Sequence, residues 1–159
     1  MVIRNAKVCD VPEIHKLVNS FADRGEMLHR PFSEIYENLR DFFVVRKDGE
    51  IIGCCALHLF WSDLAEIRAL AVKERYQNNG WGSSLVNACI KEAKRLSVTN
   101  IFCLTYKPAF FKRFGFKVID RMKLPRKIWG ECQRCYKFPN CNETAMILRL
   151  TKNPGKNKS

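Results

Sequence analysis

The chain has 159 residues and a mass of 18.5 kDa, the size of one ordinary domain. Hydrophobic residues make up 47% of it, enough for a packed core, so wholesale disorder is excluded. The net charge is +12, and no uncharged apolar run reaches the roughly 18 residues that a membrane span needs. Because Arg4, Lys7 and Asp10 stand where a secretory leader would be apolar, we expect a cytoplasmic protein whose eight cysteines are thiols or metal ligands.

The periodicity of apolar residues predicts the elements of the chain in order. In the first half these are a strand at Val2–Arg4, a helix that starts at Asp10, a helix over Pro31–Leu39, and strands at Phe42–Arg46, Ile51–Phe60 and Ala65–Val72. In the second half they are an amphipathic helix after Gly82, a strand at Asn100–Leu104, a short helix over Pro108–Phe114, and strands at Phe116–Ile119 and Ala145–Leu150. Asp48-Gly49 is a hairpin signal, so we expect a mixed α/β domain with parallel and antiparallel strand pairs.

Two patterns predict which side chains face the core. Ile67, Ala69 and Ala71 alternate with other residues, which predicts that they share one face of their strand. In the helix after Gly82, apolar residues recur at spacings of three and four and predict a buried face. These residues are Leu85 or Val86, Cys89, Ala93 and Leu96.

The excess positive charge is local. Residues 1–106 contain 14 basic and 13 acidic side chains, whereas residues 107–137 contain 10 basic and 2 acidic ones. A local basic patch favours an anionic partner such as nucleic acid, a phosphorylated cofactor or an acidic small molecule, although it could also be a solvated surface. No repeat or linker divides the chain. We therefore predict one domain over residues 1–151, with an irregular Cys-rich insertion at 121–142 and a disordered basic tail at 152–159.

A glycine-containing segment, Gln77-Asn78-Asn79-Gly80-Trp81-Gly82, lies between the strand ending at Val72 and a helix predicted to open at Ser83. Two glycines at such a junction let backbone N–H groups surround a phosphate, and the helix N-terminus adds partial positive charge. No Gly-Lys-Ser/Thr follows, and the third glycine of a dinucleotide fingerprint is missing. The segment therefore predicts a phosphate-binding loop that belongs to neither of those two classes.

The pattern Gln-x-x-Gly-x-Gly after an Ala-Val strand, with Phe111-x-x-x-Gly115-Phe116 about thirty residues later, resembles the GNAT superfamily of N-acetyltransferases. The resemblance covers roughly residues 2–120 and the closing strand. It implies a twisted, mostly antiparallel sheet of six to seven strands with helices on both faces. It also implies a splayed parallel strand pair that holds acetyl-CoA, the loop binding the pyrophosphate and the preceding strand the pantetheine. The cofactor contacts implied are Leu70, Ala71, Val72, Gln77, Asn78, Asn79, Gly80, Trp81, Gly82, Ser83 and Phe111.

The same resemblance implies a general base at Glu66 and a carbonyl-polarising backbone N–H near Leu70. An alkylammonium must lose a proton before it attacks a thioester, and a carboxylate can accept that proton. The alternative is that Glu66 is an exposed strand carboxylate or a partner of Arg68. Many relatives have a tyrosine where this chain has Phe111, to protonate the departing thiolate. Either Tyr106 replaces that tyrosine, or the thiolate leaves without an acid.

The segments Met27-Leu28-His29-Arg30, Cys54-Cys55-Ala56-Leu57 and Ala65-Glu66-Ile67-Arg68 more closely resemble N-acetylglutamate synthases, above all their short, stand-alone bacterial form. This implies acetylation of the α-amino group of L-glutamate, the first step of arginine biosynthesis. A dicarboxylate acceptor and CoA both need cationic walls, which fits the basic composition. Arg30 is the carboxylate clamp implied by resemblance, and Arg68 and Lys107 are second contacts by position. Each of the three could instead be a surface charge.

Two other functions stay open. One is acetylation of another amine, such as a different amino acid or a protein N-terminus. The other is a non-catalytic nucleic-acid-binding module that uses residues 107–137, which the absence of a recognisable reading helix or stacking-aromatic motif disfavours. We expect no membrane partner. The residues do not decide the oligomeric state, and a homodimer stays open.

A cysteine cluster predicts a structural zinc site. Cys132 and Cys135 form a chelating pair on one tight turn, and Cys141 follows six positions on. A fourth ligand would come from Glu143, another cysteine or water. The alternatives are packed free thiols or a redox pair formed under oxidation. The histidines show no metal-ligand spacing and are expected to be structural or exposed; they are His15, His29 and His58.

Overall fold

A computed structural model describes residues 2–124 and 143–151. In this part of the chain, four helices pack on a seven-stranded sheet. The strands are β1 Ile3–Asn5, β2 Phe42–Lys47, β3 Glu50–Trp61, β4 Leu64–Val72, β5 Asn100–Thr105, β6 Lys117–Val118 and β7 Thr144–Arg149. The helices are α1 Val11–Asp23, α2 Phe32–Glu37, α3 Trp81–Arg95 and α4 Pro108–Lys112. Most of the predicted insertion and the whole predicted tail lie outside the described residues.

The sheet order is β1-β2-β3-β4-β5-β7-β6. Every neighbouring pair is antiparallel except β4 and β5, which are parallel. The predicted mixed class is therefore confirmed. The hairpin between β2 and β3 is confirmed as well, because Asp48 and Gly49 both have positive φ, 51° and 80°, as a primed two-residue turn requires. Within residues 2–124 and 143–151, no helix combines the length and apolarity needed to cross a bilayer.

Two hydrophobic cores cover the two faces of the sheet. Helix α3 buries one stripe of side chains against the first face, and α1 buries another against the second. The stripe of α3 comprises Leu85, Val86, Cys89 and Ala93, and that of α1 comprises Val11, Ile14, Leu17, Val18 and Phe21. The predicted burial of Leu96 is wrong. Helix α3 ends at Arg95, so Leu96 forms its C-cap and is 46% exposed.

The N-terminus of α3 lies earlier than the sequence predicts. Gly80, with φ +85°, is the residue before the helix, and α3 therefore begins at Trp81 instead of Ser83. Only glycine adopts this left-handed conformation at little cost, so the backbone can turn directly from the loop into the helix. Gly82 consequently lies in the first turn of α3.

A bulge interrupts β4 where it pairs with β3. Cys54 lies opposite Ala71 and Ala56 lies opposite Arg68, so two residues of β4 face the single residue Cys55. One of the two, Ala69, has φ +56°. The extra residue changes which side chains face each core. Ile67 joins the α3 side whereas Ala69 and Ala71 join the α1 side, so the predicted common face of these three residues is wrong.

A buried carboxylate ties the N-terminal segments to the sheet. Asp10 is fully buried and accepts hydrogen bonds from Arg4 at 2.8 Å, from Arg46 at 3.0 Å and from the backbone N–H of Lys7 at 2.7 Å. Burial by itself would raise the pKa of Asp10, but these three donors hold it well below its ordinary value. The charge of Asp10 therefore stabilises the fold at neutral pH.

We predict that Asp10→Asn lowers the free energy of unfolding at pH 7 by about 3 kcal/mol, because it leaves two guanidinium groups without their buried counter-charge. Folding lowers the pKa of this carboxyl. Its contribution is therefore complete above the ordinary value of 3.8 and is lost as the pH falls through the folded-state value. Urea unfolding at pH 7 and at pH 2.5 should thus give a smaller difference between variant and parent at the lower pH.

The matched control is Asp63→Asn, at an exposed carboxylate in the β3–β4 turn. This change should alter stability by less than about 0.5 kcal/mol at either pH. A loss for Asp10→Asn that is equal at both pH values would contradict the assigned role of the charge.

Candidate active site

The parallel strands β4 and β5 separate partway along their length. They pair only where Leu64, Ala65 and Glu66 face Asn100, Ile101 and Phe102. Beyond these residues a cleft of about 960 Å³ opens between the two strands. A ligand that enters there meets strand backbone that is no longer paired across the gap. The predicted splayed strand pair is present.

One end of the cleft is built to receive an anion. Gly80 and Gly82 line it at the N-terminus of α3, and the first turn of that helix contains no acidic side chain. The amide of Gln77 donates to the carbonyl of Val72 at 2.9 Å, which holds the loop against the end of β4. Backbone N–H groups and the helix dipole give this end a positive potential.

The anion-binding end of the cleft also has a cationic side chain, Arg113, which the sequence did not predict as a site residue. Arg113 lines the cleft, and its Nη2 donates to the hydroxyl of Ser83 at 3.4 Å. It follows α4, whose Phe111 is 5% exposed and packs edge-to-face on Phe116 at 5.4 Å. The signal that could have identified Arg113 is its position two residues after Phe111, at the start of the basic stretch.

Glu66 lines the cleft and is 6% exposed. Arg68 lies two residues further along β4, and its Nη1 is 3.6 Å from Oε1 of Glu66. Glu66 is therefore not an exposed carboxylate, so that alternative is wrong. The other alternative, a partnership with Arg68, agrees with this distance. A partly dry carboxylate beside a cation can exchange a proton with a bound amine.

The loop between α1 and α2 also lines the cleft. Arg30 is 7% exposed and donates to Glu34 at 3.2 Å. Its backbone N–H and C=O both bond to the side chain of Asn19, each at 2.9 Å, which fixes the position of the loop. Arg30 is thus a buried cation in a cleft wall and not a surface charge. Sequence reasoning missed two acidic lining residues, Glu26 and Glu143.

Most of the predicted site residues line the same cleft. They are Arg30, Glu66, Arg68, Leu70, Val72, Gln77, Asn78, Gly80, Gly82, Ser83, Lys107 and Phe111, with Tyr106 beside them. Three others lie elsewhere. Ala71 packs in the α1-side core, the amide of Asn79 donates to the carbonyl of Tyr76 at 3.4 Å, and Trp81 packs against the α3-side core.

The predicted zinc ligands Cys132, Cys135 and Cys141 fall outside the described residues, so the zinc site stays a prediction. In the ranges 2–124 and 143–151, no group of three or more His, Cys, Asp or Glu side chains is placed to hold a metal ion.

A buried thiol also faces the cleft. Cys103 on β5 is 1% exposed, and burial together with the nearby charges of Glu66 and Glu143 raises the pKa of its thiol. It therefore stays protonated at neutral pH. A protonated thiol is a poor nucleophile, so the cleft contains no activated cysteine among the described residues that line it.

Comparisons with known proteins agree with this geometry. A model of the acetyltransferase (GNAT) family matches residues 11–116. An uncharacterized N-acetyltransferase of Chlorobaculum tepidum is 40% identical over 93% of this chain and 96% of its own length. An amino-acid acetyltransferase of Mycobacterium tuberculosis is 34% identical over 85% of this chain and 79% of its own length.

Solved structures give the same result. A Mycobacterium tuberculosis protein crystallised in complex with CoA superposes with a TM-score of 0.82 at 31% identity, over 95% of this chain and all of that one. N-acetylglutamate synthase from Neisseria gonorrhoeae, complexed with coenzyme A and N-acetyl-glutamate, superposes with a TM-score of 0.86 at 27% identity. That match covers 95% of this chain but only 35% of the longer synthase.

We predict that Cys103 resists alkylation although it faces the cleft. Treatment of the native protein with iodoacetamide at pH 8, followed by peptide mass spectrometry, should modify the exposed Cys9 at least about tenfold faster than Cys103. Unfolding in urea should bring the two rates together, since both burial and the neighbouring charges are then lost. Rapid modification of Cys103 in the folded protein would contradict this assignment.

Proposed function

This chain belongs to the acetyltransferase (GNAT) family, and we propose that it acetylates the α-amino group of L-glutamate. It is an acetyl-CoA-dependent N-acetyltransferase. The observation that carries the choice of acceptor is that the nearly buried guanidinium groups of Arg30 and Arg68 line the same cleft as the carboxylate of Glu66. With glutamate as acceptor, the reaction is the first step of arginine biosynthesis.

The donor end of the cleft suits acetyl-CoA. The N–H groups at the start of α3 and the guanidinium of Arg113 supply the positive potential that a pyrophosphate needs. Val72 and Leu70 line the cleft where β4 no longer pairs with β5, and their backbone can pair with the amide groups of a pantetheine chain. Gly82 leaves room beside the loop, because a Cβ there would meet nothing closer than Phe110 at 3.6 Å.

The acceptor end suits a small molecule with two carboxylates. The side chains of Arg30 and Arg68 are both nearly buried, and Lys107 lines the same cleft. A guanidinium binds a carboxylate through two parallel hydrogen bonds, and low exposure strengthens this interaction. Relatives named amino-acid acetyltransferase, and a synthase solved with N-acetyl-glutamate, support glutamate over other amines.

The proposed reaction is direct transfer. Glu66 accepts a proton from the acceptor ammonium, and the resulting amine attacks the thioester carbonyl. The bulge leaves Leu70 out of the regular ladder with β3, so its N–H is the proposed donor to the carbonyl oxygen as negative charge develops there. The C–S bond then breaks and CoA leaves as a thiolate. Phe111 cannot protonate it, so either Tyr106, which lines the cleft, or water does.

Glutamate should give the largest rate of thiol release when acetyl-CoA is offered with each of the twenty amino acids. Arg30→Gln should raise the KM for glutamate roughly tenfold to a hundredfold and leave the KM for acetyl-CoA unchanged, because one carboxylate loses its charged partner. Arg40→Gln, at an exposed arginine of the turn before β2, is the matched control and should leave both constants in place. A signal with another amine and none with glutamate would replace the acceptor and keep the reaction class.

A second test concerns the base. Glu66→Gln keeps the shape of the side chain and removes its capacity to accept a proton, so kcat at neutral pH should fall by roughly a hundredfold or more. The Kd for CoA should not change, which separates a lost base from a damaged fold. An unaltered kcat would make Glu66 a structural partner of Arg68 only.

A further inference from the structure

The side chain of Asn19 is hydrogen-bonded to both backbone groups of Arg30. Its Oδ1 accepts from the N–H of Arg30 and its Nδ2 donates to the C=O of Arg30, each at 2.9 Å. The same Nδ2 donates to the C=O of His15, one turn earlier in α1, at 2.8 Å. A carboxamide combines a donor and an acceptor in one planar group, so Asn19 can pair with Arg30 much as a residue of a neighbouring strand would.

This contact connects Arg30 to the strand of the proposed base. Asn19 is a residue of α1, and its neighbour Val18 packs in the same core as Ala69 of β4. Glu66 belongs to that strand as well. Because α1 is packed on β4, the two hydrogen bonds from Asn19 fix the backbone of Arg30 relative to the strand that contains Glu66.

Two further contacts hold the α1–α2 loop on either side of Arg30. Before it, the N–H of Glu26 donates to a carbonyl in the last turn of α1 at 3.1 Å. After it, the ring of Phe32 stacks on that of His15, with centroids 3.8 Å apart and planes 8° from parallel. Asn19 therefore holds the loop between these two points, at the residue whose side chain lines the cleft.

The guanidinium of Arg30 has a partner of its own. Its side chain is 8% exposed and donates to the carboxylate of Glu34 at 3.2 Å. Glu34 thus holds the charged end of Arg30, whereas Asn19 holds its backbone. A side chain that is fixed in this way before a ligand arrives loses less conformational freedom on binding than one on a free loop, so the ligand binds more tightly.

We propose that Asn19 is a positioning residue for the acceptor and acts through Arg30. It keeps the guanidinium of Arg30 where a carboxylate of the acceptor can bind to it. Asn19 itself is not one of the residues that line the cleft. It therefore determines the KM for glutamate and leaves the binding of acetyl-CoA and the transfer step unaffected. This inference rests on the proposed function, because it takes Arg30 as the clamp for an acceptor carboxylate.

Asn19→Ala tests this inference, because it removes all three hydrogen bonds of the carboxamide. In steady-state kinetics the KM for glutamate should rise roughly fivefold to tenfold, whereas kcat and the KM for acetyl-CoA should stay within about twofold. A purely structural asparagine would lower the melting temperature without moving the KM for glutamate. An unchanged KM in the folded variant would overturn the proposal.

The same substitution in the Arg30→Gln enzyme shows whether Asn19 acts through Arg30. The double variant should have the KM for glutamate of Arg30→Gln alone, to within about twofold, because the group that Asn19 positions is already missing. If Asn19→Ala raises the KM in both backgrounds by the same factor, Asn19 acts by another route and the proposal is overturned.

Ser20→Ala is the matched control. Ser20 is the exposed neighbour of Asn19 in α1, and its hydroxyl donates to the C=O of Leu17 at 2.7 Å. The control thus also loses a bond between a side chain and the backbone of α1, but one that does not involve Arg30. The KM for glutamate should stay at the parent value. A rise equal to that of Asn19→Ala would trace the effect to the stability of the helix and overturn the proposal.

Should Asn19→Ala fail to fold, Asn19→Ser keeps a hydroxyl that can bond to the C=O of His15 but cannot pair with both backbone groups of Arg30. It should raise the KM for glutamate in the same way, and no rise would overturn the proposal.

The Arg30→Gln enzyme separates this inference from the proposed function. If its KM for glutamate is raised while that of Asn19→Ala is not, the inference fails alone and the role of Arg30 stands. If its KM for glutamate is unchanged, or if the parent does not acetylate glutamate, the proposed function and this inference fail together.

Discussion

The separation of β4 from β5 is the feature on which the rest of the site depends. Opening a sheet normally leaves backbone N–H and C=O groups without partners, which is costly where water is excluded. Here each strand keeps a full antiparallel neighbour on its other edge, β3 for β4 and β7 for β5. The gap can therefore stay open within a stable sheet. It gives a ligand two strand edges to bind, with the N-terminus of α3 at one end.

The bulge at Ala69 and Leu70 adapts β4 to this opening. Before the bulge, strand alternation turns Glu66 and Arg68 to the α1 side, where the α1–α2 loop brings Arg30 to the same cleft. After it, the alternation is reversed, so Ala71 can pack beneath α1 while Val72 returns to the α3-side core. One extra residue thus exchanges the faces of the residues that follow it in the strand. Bulges near functional sites are often used in this way.

Each buried carboxylate in the described part of this protein has an oppositely charged neighbour, although the chain as a whole has a large positive net charge. The net charge is +12, yet the buried charges are balanced locally: Asp10 by Arg4 and Arg46, and Glu66 by Arg68. Because a buried charge without a partner is costly, these pairings are what permit carboxylates inside the protein. Two of the cationic side chains that line the cleft are held by carboxylates in the same way, Arg30 by Glu34 and Arg68 by Glu66.

The sequence by itself determined the elements, the hairpin at Asp48-Gly49 and the loop before α3, because periodicity and glycine positions are local signals. Most of the site residues that it predicted, through the spacing of the glycine motif and the segments around Arg30 and Glu66, line the cleft. It could not place the bulge, since a left-handed alanine has no sequence signature. Nor could it bring Arg113 to Ser83 or show that Leu96 is exposed. Those facts depend on strand register and helix ends, and only the packing of the whole sheet decides them.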